Sequence, residues 1–181
     1  MGRQLLEPSF FASSALRVAP RLLGKHVVVA HDGIERALVI LEVEAYQGTR
    51  DRASHAWRGR TPRNAPMFGP PGHWYVYLVY GVHWMLNVTT DVEGTPSAVL
   101  LRGTAEVEGP GRLTRRLGID GRISGQPALP DSGLWLEDRG VRVSPRGVRR
   151  TPRIGVDYAG AWASKPYRYV VSVPDLTSPC E

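Results

Sequence analysis

The sequence predicts a single α+β domain of β-rich character, a curved and mainly antiparallel sheet with flanking helices and one protruding β-hairpin. Three observations carry that expectation. Short apolar runs such as "HVVVA", "WYVYLVY", "HWMLNVTT" and "SAVLLRG" are separated by turn-forming residues. Helical patterning is confined to a stretch near the N-terminus and to "GPGRLTRRLG". The chain has 181 residues and 42% hydrophobic content, enough for one core, with no internal repeat and no composition break to mark a second domain.

In chain order, "EPSFFASSALRVAPRLLGK" offers Ser9 as an N-cap; Pro20 is expected to split it into two short helices, and Gly24 to end the second. "HVVVAHDGIERALVILEVEAY" reads as a hairpin, with Val27 to Val29 outward, a turn at Asp32-Gly33 and a return strand from about Arg36 to Tyr46. Residues 47–73 hold turn formers and charges without period, and a loop of that length in a compact domain points to function. Trp57, Met67 and Phe68 are expected to pack it down. Two strands joined at Gly81 follow, then "SAVLLRGTA", then a helix with Pro110 in its first turn and Gly118 just past its end. Short strands are expected at "LWLED" and "VRVS", "YRYVVSV" completes the sheet, and the tail from about residue 174 is expected to fray.

Composition removes several function classes. The one cysteine, Cys180, allows no intramolecular disulfide, zinc finger or iron–sulfur cluster, and a reducing, cytoplasmic setting is the expectation. His26, His31, His55, His73 and His83 form no pair at metal-ligand spacing, so no metal is expected. There is no GxxxxGK[ST], no strand-borne GxGxxG and no GxSxG, so neither a nucleotide cofactor nor a serine nucleophile is expected. No apolar run of about 18 residues suggests a membrane span. Net charge is +6, and of 23 basic residues only Lys25 and Lys165 are lysines. Arginine's planar fork suits phosphate oxygens, which makes nucleic acid a candidate partner. Basic clusters stand at Arg58-Arg60-Arg63, Arg112-Arg115-Arg116 and Arg146-Arg149-Arg150-Arg153.

Against that background a few polar groups stand out. Glu42, Glu44 and Tyr46 share one strand face, and Gly48 ends that strand at the long loop, where a carboxylate is mounted on a rigid base. Asn87 and Arg102 sit inside apolar strand patterns, and a buried arginine requires a carboxylate or a phosphate. "YVYLVYG" puts Tyr75 and Tyr77 on one face and Tyr80 on the other, directly before a glycine.

Together, "EVEAYQG", His55 in "ASHAWRG", "TPRN" followed by "MF", "YVYLVYG", Asn87 and "AVLLR" resemble the alkyladenine (methylpurine or 3-methyladenine) DNA glycosylases of the mammalian type. The likeness resumes at "GPGRL" and "RIGVDYAGAWASKPYRYVV" and spans about Leu22 to Val171. It implies a fold like the formyltransferase C-terminal domain and a cofactor-free, metal-free enzyme. Such an enzyme flips damaged purines out of double-stranded DNA and hydrolyses the N-glycosidic bond as a monomer, in a bacterium near the nucleoid. Carried over by motif, Glu44 would be the general base and Arg102 would hold the water and a phosphate. Tyr46, His55 and Tyr77 would sandwich the base, with Asn87 lining the pocket. Tyr80 would enter the duplex, and Gly81, Val82, Arg60 and Thr61 would touch DNA. Val82 stands where the family often has a bulkier residue, and Thr95-Pro96 is a short insertion. The competing class is a non-catalytic nucleic-acid binding module; Glu44 discriminates, because a binder gains nothing from a carboxylate aimed at phosphates.

Overall fold

The computed structural model describes residues 2–177. In chain order the main elements are β1 (Gln4–Leu5), α1 (Pro8–Phe11), α2 (Ala15–Leu22), β2 (His26–His31), β3 (Ile34–Gln47), β4 (Trp74–Val79), β5 (His83–Thr89) and β6 (Ser97–Thr104). They are followed by α3 (Pro110–Leu117), β7 (Leu134–Asp138), β8 (Arg142–Val143), β9 (Arg149–Thr151), β10 (Arg168–Val170) and β11 (Leu176–Thr177). The principal sheet is antiparallel in the order β1-β7-β2-β3-β6-β5-β4, with β10 and then β9 branching from β3. The expected α+β class with a β-rich body is what the chain adopts.

The long β3 is the spine. Its first half pairs with β2 and its second half with β10, while β6 runs along the other edge. Leu38 and Ile40 point into the core from one parity, Val43 and Ala45 from the other. A β-bulge reconciles the two. Between Ile40 and Val43 the register against β6 shifts twice, leaving Leu41 on β3 and Arg102 on β6 without a directly opposed partner. A bulge of this kind reverses which residues face inward and re-aims side chains.

The N-terminal segment departs from expectation. The helical break falls at Ala12–Ser14, so Ser9 lies inside α1 and Pro20 lies inside α2. Proline removes one helical hydrogen bond, but Ala15, Val18, Ala19 and Leu22 form an i, i+3, i+4, i+7 face with no solvent exposure. Burial of that face against β3 and β6 outweighs the lost bond. The tail also differs, because Leu176–Thr177 pair with Arg142–Val143 in a small second sheet, which orders residues 174–177. Cys180 and the rest of the predicted frayed end lie outside the described residues.

The 47–73 loop is packed down by polar anchors more than by its aromatics. Met67 is buried, but Trp57 remains exposed between the guanidiniums of Arg52 and Arg58. Asp51 and Arg153 form a salt bridge in which neither side chain has any solvent exposure. Arg153 donates from Nη1 to Asp51 Oδ2 (2.6 Å) and the Ala45 carbonyl (2.9 Å). Its Nη2 donates to Asp51 Oδ1 (2.8 Å) and the Trp162 carbonyl (3.3 Å). This pair ties the loop, β3 and the C-terminal segment together. Asn64 stitches the same loop to itself, donating to the carbonyls of His55 and Gly59 (both 2.9 Å).

Removing one partner of a buried ion pair strands the other charge in a medium that cannot solvate it. Asp51→Ala is therefore expected to lower the unfolding free energy by about 3–5 kcal/mol, read by urea denaturation. Exposed Arg52→Ala should change it by less than about 0.5 kcal/mol.

Candidate active site

One cavity of about 520 Å³ gathers most of the polar groups singled out from the sequence. Tyr46, His55, Tyr77, Asn87 and Arg102 line it, together with Tyr75, Arg63, Ile154, Val156 and Tyr158, and Tyr80 stands at its edge. Its volume lies within the roughly 300–1,000 Å³ of small-molecule sites.

Glu44 does not itself line this cavity; it is buried directly behind three residues that do, Tyr46, Arg102 and Ile154. Its side chain has no exposure, and both carboxylate oxygens are engaged. The Ile154 N–H donates to Oε1 (2.8 Å), the Tyr46 hydroxyl donates to Oε2 (2.7 Å), and Arg102 Nη1 lies 3.4 Å from Oε2. Burial pushes the Glu44 carboxyl above the ordinary glutamate range, although Arg102, the Ile154 N–H and the Tyr46 hydroxyl all pull the other way. The result is a carboxylate with raised proton affinity, aimed by two hydrogen-bond donors and one guanidinium.

Two aromatic walls flank it. His55, Tyr75 and Tyr77 form one: the His55 and Tyr77 rings meet edge to face at 4.5 Å, and Tyr75 lies 5.2 Å from Tyr77. Alternation along β4 puts both tyrosines on the cavity side, where Tyr75 is buried and shares a 2.8 Å hydrogen bond with His55 Nδ1. Tyr46 belongs to a separate cluster with Ala53, Val156, Ala159 and Trp162. The Arg153 guanidinium lies over one face of the Tyr46 ring, 4.7 Å from its centroid. His55 keeps part of its surface in solvent, but desolvation of the ring packed against Tyr75 and Tyr77, reinforced by the Arg63 charge, lowers its pKa to about 4, so the imidazole is neutral near pH 7. Burial also raises the phenols of Tyr46, Tyr75 and Tyr77, which remain protonated donors.

Asn87 is fixed rather than free. Its Nδ2 donates to the carbonyls of Tyr75 (2.9 Å) and Met85 (3.2 Å), so the amide cannot swing away from the cavity without breaking both bonds. Arg102, the bulged residue of β6, reaches back along the same face. Its Nε donates to Glu42 Oε1 (2.9 Å), and that oxygen also accepts from Arg168 Nε (2.6 Å).

The turn joining β4 and β5 is built differently. Tyr80 has φ +51° and Gly81 φ +70°, and Val82 N–H donates to the Val79 carbonyl (3.2 Å). Positive φ at both central positions is the pattern of a type I′ hairpin turn. Glycine accepts it freely, whereas a tyrosine there is strained. Tyr80 is 92% exposed and Val82 67%, an apolar tip with nothing packed on it. Arg60 and Thr61 do not line the cavity. Arg60 is exposed over the Phe68 ring, and Thr61 N–H donates to Asn64 Oδ1 (2.6 Å) at the start of a loop turn.

Sequence reasoning missed the supporting set. Asp51, Arg153 and Ile154 position Glu44 and Tyr46, Arg168 and Glu42 position Arg102, and Tyr158 adds a further ring at the cavity mouth. The Ile154 contribution is a backbone N–H and leaves no mark in side-chain identity. Arg63 was legible only as part of a basic cluster, yet it spans the cavity wall, donating to the Leu78 carbonyl (2.9 Å) with its guanidinium 5.1 Å from the Tyr77 ring centroid.

Comparison with known proteins identifies the chain's relatives. A family model described as "Methylpurine-DNA glycosylase (MPG)" matches residues 9–109 and 105–174. A relative from Anaeromyxobacter dehalogenans strain 2CP-1 is 44% identical over 92% of this chain and 81% of its own length. One from Myxococcus xanthus strain DK1622 is 46% identical over 90% and 88%, and one from Legionella pneumophila strain Paris 39% identical over 93% and 94%. Each bears the name "Putative 3-methyladenine DNA glycosylase". With a family match across most of its length and relatives of this identity and coverage, the chain belongs to the methylpurine-DNA glycosylase family.

Proposed function

We propose that this protein is a monofunctional DNA glycosylase that extrudes methylated purines, 3-methyladenine first among them, from duplex DNA and hydrolyses the bond to the sugar. The observation that carries the reading is Glu44: a carboxylate without solvent contact, held by two hydrogen bonds and one ion pair from residues that line an aromatic cavity. In this reading Glu44 accepts a proton from water as the water oxygen attacks the sugar C1′. The C1′–N bond breaks, and its electron pair leaves with the purine. A methylated purine is already cationic, so it departs as a neutral base without needing a strong acid. A positioned general base contributes roughly 10²–10⁴ in rate. Arg102 steadies Glu44 and offers its remaining N–H groups to the water and the sugar-phosphate.

Extrusion costs a few kcal/mol in lost stacking. Tyr46 on one wall and His55 with Tyr77 on the other recover about 1–3 kcal/mol per stacked face, and Tyr80 fills the gap left in the duplex. The neutrality of His55 suits this cargo, because an imidazolium would repel a cationic base. Guanine carries an exocyclic amine, and the anchored Asn87 amide excludes it by volume. Neither lysine lines the cavity: Lys25 pairs with Asp138, and Lys165 sits by the Trp162 ring. Among the described residues no amine therefore lines the cavity, and this reading includes no Schiff-base step with the abasic product. Deaminated and etheno purines, which are neutral, are further candidate substrates of this reading.

Glu44→Gln keeps the shape of the side chain and removes the base. It is expected to bind duplex containing an abasic analogue within about threefold of wild type while base release falls by at least ~10². Retained excision would sink the assignment. Tyr80→Asn accepts the left-handed backbone, so thermal stability should hold or rise by up to ~1 kcal/mol. Affinity for lesion duplex should fall roughly 5- to 150-fold, the range that corresponds to one lost stack. Unchanged affinity in a binding titration would remove Tyr80 from the duplex.

The depressed His55 pKa also sets a pH dependence of stability. The unfolded chain binds a proton at His55 near pH 6.5 and the folded chain only near 4, so stability is full above about 6.5 and declines as pH falls towards 4. His26, also lowered, adds a slope of the same sign. Urea unfolding between pH 7 and 4 should show a shallower decline for His55→Gln than for wild type.

A further inference from the structure

We infer that Glu42 and Arg168 form a positioning pair that sets how much of the Arg102 charge reaches Glu44, and so sets the pH at which the base becomes active. This inference rests on the general-base reading of Glu44. It assigns work to two residues outside the cavity lining and to one oxygen, Glu42 Oε1.

The geometry is a chain of alternating charges. Arg168 Nε donates to Glu42 Oε1 (2.6 Å), Arg102 Nε donates to the same oxygen (2.9 Å), and Arg102 Nη1 lies 3.4 Å from Glu44 Oε2. The short contact of Arg102 is thus with Glu42, and the long one with Glu44. The Glu42, Arg102 and Arg168 side chains are only 15%, 11% and 24% exposed, which leaves little water to screen them. Arg168 is itself held, its Nη1 donating to Thr151 Oγ1 on β9 (3.2 Å). The backbone is arranged to permit the contact. The bulge leaves Arg102 unpaired between Glu42 and Val43, and the residue opposite Glu42 is Gly103. A Cβ on Gly103 would come within 3.3 Å of both Glu42 Cβ and Glu42 Oε2, so the glycine makes room for this carboxylate.

The groups facing Glu44 from each packed element fix the sign. From β3 come the Tyr46 hydroxyl and, through Arg102, Glu42; from β6, Arg102; from β10, Arg168 behind Glu42. From the segment after β9 come the Ile154 N–H and Arg153, whose charge is matched by Asp51; from β4 comes the Tyr77 phenol. Among the described residues Arg102 is the one arginine paired directly with Glu44, and it is shared with a second carboxylate. Whatever weakens the hold of Glu42 on Arg102 strengthens the pull of Arg102 on Glu44, and the reverse. The Glu44 carboxyl does stand above its ordinary range despite the nearby arginine. A base that must be ionised gives an acid limb in the pH–rate profile, so its midpoint reports this balance.

The test is single-turnover release of 3-methyladenine from dimethyl-sulfate-treated duplex DNA, measured from pH 4 to pH 9 by chromatography. Glu42→Gln keeps an oxygen for Arg102 Nε but removes the negative charge, so the acid limb should move to lower pH by about half a unit or more. Arg168→Gln frees Glu42 to draw on Arg102 alone, so the limb should move to higher pH. Opposite displacements are a signature that loose packing does not produce, since a merely structural role lowers the rate and leaves the midpoint in place. Limbs that coincide with wild type in both variants, or move in the same direction, overturn the inference. If one variant fails to fold, the sign of the other decides. Glu44→Gln run alongside separates the two levels. Excision by that variant removes the base assignment, whereas an inactive Glu44→Gln with unmoved limbs in the other two removes only the role of Glu42 and Arg168.

Discussion

The structure is organised by the cost of keeping an ionisable carboxyl dry. Glu44 lies on a sheet face with no solvent contact, and an unpaired carboxylate in such a place is expensive. Three groups approach it, each from a different element: the Tyr46 hydroxyl from its own strand and the Ile154 N–H from the segment after β9 as hydrogen-bond donors, and the Arg102 guanidinium from β6 as an ion-pair partner. Each group must be held, and each holder creates a further requirement. Ile154 is fixed because Arg153 is tied to Asp51, to Ala45 and to Trp162, and the same guanidinium backs the Tyr46 ring. The rigidity of the cavity follows from this dependence. Arg153 Nε remains buried without a partner, because the four bonds of its terminal nitrogens fix where the fork lies.

Arg102 shows the same logic on the other side. A regular antiparallel strand would place it squarely opposite Glu42 and give it one carboxylate. The paired register shifts leave it between strand positions, from which Nε and Nη1 reach two different carboxylates. The compensating slip at Leu41 restores the pairing within two residues, so the sheet absorbs the disturbance locally. A bulge is a common way to re-aim one side chain while leaving the scaffold intact.

These arrangements explain which parts of the molecule the sequence displays. The hairpin turns at Asp32-Gly33 and Tyr80-Gly81 are legible because both need positive φ and carry glycine in the second position. Helix α3 is legible from Pro110 and Gly118. The α2 boundary was not, because proline signals a break locally while the Ala15–Leu22 face is decided by what it packs against. The parity switch in "ALVILEVEAY" is visible in hindsight: inward residues Leu38 and Ile40 give way to Val43 and Ala45, and only a bulge lets both sets face one core. Glu44 could be read from a strand end, and Asn87 and Arg102 as polar residues in apolar runs, whereas Tyr46, His55 and Tyr77 were marked as base-binding candidates by the family resemblance alone. The Asp51–Arg153 pair could not. Its partners are about a hundred positions apart, and an aspartate in a loop or an arginine in a basic cluster gives no sign of burial.

Tyr80 marks the opposite principle from Glu44. The cavity keeps a costly group by surrounding it with fixed partners, whereas the hairpin tip keeps a costly conformation with no partner at all. A tyrosine in the left-handed region costs about 1–2 kcal/mol, and 92% exposure of its ring gains nothing from the protein in return. Asparagine or glycine would make the same turn with less strain, so folding alone does not account for the residue. What a tyrosine adds is a flat apolar ring on a short, stiff stalk, one turn beyond the strand that carries Tyr77 into the cavity. Tyr77 and Tyr80 are three residues apart on one hairpin. Under the proposed glycosylase reading, a ring entering the duplex at the tip would stand in fixed relation to a ring receiving the base inside, and the distance the nucleotide travels would be set by the geometry of β4.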